Sequence, residues 1–243
     1  MKYAEDRRSM RLKALPAEAE RRAYLEALEI DVWALRGSAV DDNPATAEDA
    51  PLQESELLNW PELRDKVAAC TLCSLHKTRT QTVFGVGSES ADWMIIGEAP
   101  GAEEDRRGEP FVGRAGKLLD EMLRSVGLAR DAVFIANMLK CRPPQNRDPT
   151  VDEAATCRSY LDRQIALLAP KLILAVGRIA AQHLLETDAP LGRLRGQKHY
   201  LNDGQLPVVV TYHPAYLLRS PTQKRKAWQD LCLARQIVNE LAA

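Results

Sequence analysis

Residues 93–116 read WMIIGEAPGAEEDRRGEPFVGRAG. The run Trp93 to Ile96 is continuously apolar, too short for a helix and long enough for a strand buried on both faces. Directly after it come Gly97, Pro100 and Gly101, with five carboxylates between Glu98 and Glu109. Three more apolar runs of the same kind follow: VFIAN (133–137), KLILAVG (171–177) and PVVVTYH (207–213). Helical patterns separate them: AGKLLDEMLRSVG, TVDEAATCRSYLDRQIALLA with Thr150 as N-cap, and RIAAQHLLE. Apolar strands alternating with helices predict an α/β fold, a three-layer α/β/α arrangement around a central four-stranded parallel sheet. Ligands of such sheets bind at the carboxyl ends of the strands, so Gly97, Asn137, Gly177 and His213 are expected to converge on one crevice. Gly97 and Gly101 allow a sharp turn and close approach of backbone to a ligand there.

The chain has 243 residues and a formal net charge of −1. That near-neutrality hides two opposite halves. Residues 1–58 carry 8 Lys+Arg against 13 Asp+Glu, hence −5, whereas residues 59–243 carry 25 against 21, hence +4. Within 1–58, Leu25, Leu28, Val32 and Leu35 fall at helical spacing, with Pro16 suited to a first turn and Gly37 to a stop. Ser38 to Glu56 has the Ala, Pro, Asp and Glu composition of a linker. The expected organisation is therefore a helical extension and acidic linker over 1–58, followed by one domain over 59–243. The start, MKYAEDRRSMRLK, has no apolar segment of a secretory signal, and no run approaches the roughly 20 apolar residues of a membrane span. These features suggest a cytoplasmic protein.

In a reducing compartment, five cysteines read as ligands or packing groups rather than as disulfides. Cys70 and Cys73 form a C-x2-C pair, and Cys141 and Cys157 follow without the second C-x2-C of a zinc ribbon. An iron–sulfur cluster requires only that four thiolates converge in space. Cys232, inside the apolar pattern WQDLCLARQIV, is expected to pack in a helix, and His183 reads as a core histidine. GRAGKLL places Leu118 where a P-loop needs Ser or Thr, which argues against a nucleotide triphosphatase. From Ala189 to Gln229 the residues Arg193, Arg195, Lys198, Arg219, Lys224, Arg225 and Lys226 face a single acid, Asp203, a bias suited to a polyanion.

Together, GEAPGAEEDRRGEPFVGRAGKLLD, NMLKCRPPQNRDPT, the four cysteines and HPAYLLR resemble the family 4, iron–sulfur uracil-DNA glycosylases over about residues 60–238. The resemblance implies an enzyme that flips uracil out of single- or double-stranded DNA and hydrolyses its N-glycosidic bond, leaving an abasic site for base excision repair. It implies a 4Fe–4S cluster on Cys70, Cys73, Cys141 and Cys157, either a structural clamp or a redox group. Gly97, Glu98, Ala99 and Gly101 would form the uracil-binding loop, Phe111 the stacking platform and Asn137 the donor–acceptor pair for uracil O4 and N3–H. His213 would donate to uracil O2, where negative charge grows as the bond breaks. In the best-known branch of the superfamily the loop carries a water-orienting aspartate, whose aligned position here is Ala99. Glu98 is the nearest substitute, positioning water or stabilising charge. Glu104 would crowd the uracil C5 position and exclude thymine. Tyr216, Leu217, Leu218 and Arg219 would meet DNA, with Leu217 or Leu218 filling the vacated stack and Arg219 on a phosphate.

No lysine nucleophile appears in these motifs, so strand cleavage is not expected. A monomer acting at the nucleoid, with a protein partner for the N-terminal helix, completes this expectation. A uracil-DNA binding module with little turnover is the second reading, and an iron–sulfur redox protein the third. Covalently acting relatives carry a basic, histidine-containing insert near the Asn137 loop; KCRPPQNRDPT has no histidine.

Overall fold

The computed structural model describes residues 58–201 and 204–242. The helix expected around Leu25 to Leu35 and the linker Ser38 to Glu56 lie outside the described residues. In chain order the elements are α1 (Trp60–Ala68), β1 (Val86–Gly87), β2 (Trp93–Gly97), α2 (Ala102–Arg107), α3 (Arg114–Ser125), β3 (Phe134–Asn137) and α4 (Val151–Leu168). There follow β4 (Leu172–Val176), α5 (Arg178–Leu184), α6 (Leu191–Leu194), β5 (Lys198–Leu201), β6 (Leu206–Thr211), α7 (Pro214–Arg219) and α8 (Lys224–Ala242).

Among the described residues all six strands join in one sheet of order β1-β3-β2-β4-β6-β5. The four apolar runs are its parallel middle: β2 pairs with β3 and with β4, and β4 pairs with β6. The sheet has two strands more than the sequence pattern indicated. Both additions are antiparallel edges, β1 on β3 and β5 on β6. Every residue of β2, β3, β4 and β6 is buried, which is why each reads as an unbroken apolar run.

Alternate side chains of these strands enter two separate cores. Met94, Ile96, Ala136, Ala175 and Val210 pack with Leu63 and Val67 of α1, Leu161 and Ile165 of α4, and Ala180 of α5. Ile95, Ile135, Leu174 and Val209 pack with Leu119 and Leu123 of α3, Leu217 of α7, and Leu231 and Ala234 of α8. Helices thus cover both faces of the sheet. From β2 the chain moves outward to β3, then crosses back to place β4 on the other flank of β2. That reversal lies between the carboxyl ends of β2 and β4, where open α/β sheets bind their ligands.

Candidate active site and cysteine pocket

A cleft of about 450 Å³ opens at these strand ends. Glu98, Ala99, Gly101, Phe111, Asn137 and His213 line it, together with Glu104 and Arg219. Gly97 lies beneath the cleft. A Cβ there would overlap Asn137 Oδ1 and stand 2.7 Å from Phe111 Cζ, so glycine is what lets the Phe111 ring and the Asn137 amide approach the end of β2.

Phe111 is buried, yet its φ of 54° lies in the left-handed region that a bulky side chain rarely occupies. Two features hold it there. Glu104 Oε1 accepts N–H bonds from Val112 at 3.1 Å and Gly113 at 3.3 Å, and a Cβ on Gly116 of α3 would overlap the Phe111 carbonyl. Glu104 therefore grips the Phe111 loop while still facing the cleft. Strain maintained by its surroundings at a cleft wall is a mark of a functional residue. The Phe111 ring lies 5.5 Å from that of His213 at 30°.

His213 caps α7: its Nδ1 accepts the Ala215 N–H at 3.1 Å. The proton of the neutral ring is thereby assigned to Nε2. Burial, aided by Arg219 and opposed by Glu104, pushes the imidazole pKa down to about 4, so the ring is neutral at physiological pH. Gly177, at a φ of +103°, gives His213 room: a Cβ would sit 3.2 Å from the histidine Cβ.

Glu98 moves the opposite way. Burial and the nearby Asp148 raise its carboxyl from 4.5 to about 7, against the pull of Arg178. Asp148 itself pairs with Arg178 at 3.0 Å. It belongs to the 143–148 segment, whose Pro143, Asn146, Arg147 and Asp148 form a wall of the cleft that sequence reasoning missed. That wall is anchored on α4. Arg147 forks onto Glu153 at 2.6 and 2.8 Å, and Glu153 completes a capping box with Thr150, the N-cap expected from the sequence.

The DNA-facing expectations divide. Leu218 is 37% exposed, whereas Leu217 is 1% exposed and packed in the core, which removes Leu217 as an inserting residue. Tyr216 stacks on Tyr212 with centroids 5.1 Å apart. Arg195 is also taken out of the basic surface: its guanidinium binds the buried Asp230 at 2.8 and 3.1 Å. Cys232 lies on the exposed side of α8 rather than in its packed face, and His183 is part-exposed rather than a core residue.

Cys70, Cys73, Cys141 and Cys157 line a single pocket with Arg79, Lys140 and Tyr160. All four are free thiols. Arg79 Nη1 donates to Cys141 Sγ at 3.1 Å and the Lys140 backbone N–H points at Cys157 Sγ at 3.4 Å. Burial raises both thiols, Cys157 to about 11. Among the described residues no group of three or more His, Cys, Asp or Glu is placed to hold a metal ion. Four thiols from three chain segments, with Arg79 and Lys140 beside them, are a donor set whose chemistry fits either a thiolate-bound cluster or a single ion.

Residues 84–232 match the family model of the uracil DNA glycosylase superfamily. A type-4 uracil-DNA glycosylase of Archaeoglobus fulgidus is 44% identical over 68% of this chain and 86% of its own. Those of Pyrobaculum aerophilum and Sulfurisphaera tokodaii are 42% and 40% identical over 72% of this chain, and 93% and 83% of theirs.

Proposed function

The chain belongs to the uracil-DNA glycosylase superfamily, and from that premise we propose how its residues divide the reaction. Its activity is that of a uracil-DNA glycosylase in DNA repair: it hydrolyses the bond between uracil N1 and the sugar. Breaking that bond puts positive charge on the sugar and negative charge on the departing base, so the site must hold a flipped base and stabilise both signs.

Phe111 is the platform for the base, and Asn137 presents its NH2 to O4 and its oxygen to N3–H, a pattern that cytosine reverses. His213 donates from Nε2 to O2, a bond that strengthens as the base becomes anionic. Ionised Glu98 faces the cationic sugar and orients the water, taking the work for which Ala99 has no side chain. Glu104 holds the platform loop and narrows the cleft against the methyl group of thymine. The observation that carries this reading is the histidine tautomer: with Nδ1 occupied by the Ala215 N–H, His213 is a neutral Nε2 donor at the cleft wall.

Leu218 fills the gap left in the duplex, Arg219 takes a phosphate, and Lys224 to Lys226 extend the basic surface. Cys70, Cys73, Cys141 and Cys157 hold a 4Fe–4S cluster, which clamps the chain following Asn137. Residues 1–58 are an extension outside the glycosylase domain that meets another protein, and the enzyme works as a cytoplasmic monomer at the nucleoid. Among the described residues no helix is long and apolar enough to cross a membrane.

Incubation with a uracil-containing oligonucleotide, then alkali, tests the reading. A break at the uracil is expected, and none at cytosine or thymine. Retained binding without a break would leave a uracil-binding module instead.

A further inference from the structure

Lys140 is 1% exposed and belongs to no step of the reaction described above. Its Nζ donates to the Asn137 carbonyl at 2.8 Å and to Gln164 Oε1 at 2.6 Å. Gln164, 0% exposed on α4, is itself fixed by donating to the Phe84 carbonyl at 2.9 Å. The Lys140 backbone is equally committed, with its N–H on Cys157 Sγ and its carbonyl accepting from Val83 N at 2.8 Å.

The Asn137 carbonyl needs such a donor for a topological reason. Met138 N donates to Gly97 O on β2. A trans peptide points its carbonyl opposite to its N–H, so the Asn137 carbonyl faces the other edge of β3. There β1 pairs only with Phe134 and Ile135 and stops short of Asn137. The lysine supplies the donor that a longer strand would have supplied, and a buried carbonyl left without one is costly.

The same residue is tied to the cysteines by geometry: Lys140 lines their pocket, next in the chain to Cys141 and with its own N–H on Cys157 Sγ.

We propose that Lys140 is a positioning residue for uracil recognition, fixing the peptide after Asn137 from an anchor on the cysteine pocket so that the Asn137 amide meets the base in one orientation. This inference rests on the reading of Asn137 as the uracil-binding amide.

The test compares the parent with Lys140→Met, which keeps the apolar stem and removes the donors, and with Asn137→Asp. Four quantities are read: iron per chain, affinity for DNA bearing a stable abasic analogue, inhibition by free uracil, and single-turnover excision. For Lys140→Met, iron content and abasic-DNA affinity stay parental. Uracil inhibition weakens about tenfold and excision falls about ten- to hundredfold, the scale of a hydrogen bond to a charged group. A parental uracil inhibition constant in a folded, iron-loaded Lys140→Met protein overturns the proposal. If Asn137→Asp also leaves uracil inhibition unchanged, the recognition role itself fails, and this inference with it. Should Lys140→Met lose its iron, Gln164→Met decides, because it keeps the ammonium but releases it to turn. Uracil inhibition weaker by about threefold or more at parental iron content supports the proposal, on the scale of a weak neutral hydrogen bond, and an unchanged value overturns it.

Discussion

An amide has two chemically different ends, and in the proposed recognition of uracil Asn137 is the residue where that difference matters most. Replacing it by Asp exchanges a donor for an acceptor and sets oxygen against uracil O4. Each buried group left unpaired costs about 1–3 kcal/mol, so single-turnover uracil excision by Asn137→Asp falls at least about tenfold, while discrimination against cytosine narrows. Parallel assays on U- and C-containing strands check this. Glu98 predicts a pH response. Its folded pKa of about 7 lies above the unfolded value of 4.5, so the ionised form that the reaction needs accumulates as pH rises through 7. Excision rises through that window and levels off above it, and His213, neutral above its pKa of about 4, adds no second limb there. The same shift has a thermodynamic sign. The stability that the protonated carboxyl contributes is complete below 4.5 and lost as pH rises through 7. Thermal melts should accordingly find Glu98→Gln more stable than the parent at pH 8, with the difference disappearing at pH 4, and inactive or nearly so at both. Asn137 and His213 were legible because each ends an apolar run. Phe111's left-handed backbone and Lys140's burial left no trace in composition or spacing, since both depend on contacts far along the chain.

At the scale of elements, α7 separates two neighbouring leucines by burial. Leu217 points into the core against α3 and α8, so Leu217→Ala costs about 2–5 kcal/mol in denaturant titrations. Leu218→Ala leaves stability within about 0.5 kcal/mol. It should slow excision from duplex DNA more than from single strands, because only a duplex has a stack to refill. Equal loss on both substrates would remove Leu218 as the inserting residue. The sequence could not separate the pair, because both are leucines on one short helical turn and the burial of one is set by α3 and α8. The edge strands were missed for a related reason. β5, Lys198 to Leu201, alternates exposed and half-buried positions, and β1 has two residues, so neither produces an apolar run. Buried parallel strands announce themselves, whereas edges are defined by what pairs with them. The capping box at Thr150 was legible because its partners lie three residues apart.

For the molecule as a whole, the cysteine pocket predicts brown protein with absorbance near 400 nm and roughly four iron atoms per chain. Cys70→Ala should lose the metal, and Cys232→Ala, altering an exposed thiol on α8, should keep it; stoichiometric zinc in place of iron would refute the assignment. Removing residues 1–55 should leave the single-turnover rate of the iron-loaded remainder unchanged, since among the described residues those lining the cleft all lie beyond Gly97. A large loss of rate would place part of the site in the extension. The sheet order carries a further implication, one of timing. Glu98 follows β2, Asn137 closes β3 and His213 follows β6, and β4 stands between β2 and β6. On the proposed division of roles, a nascent chain that has emerged only as far as α4 carries the platform, the amide and the carboxylate but not the histidine that would meet the anionic base. Competence is then expected only once the last middle strand has docked and His213 caps α7. A chain truncated before His213 is therefore expected to excise no uracil.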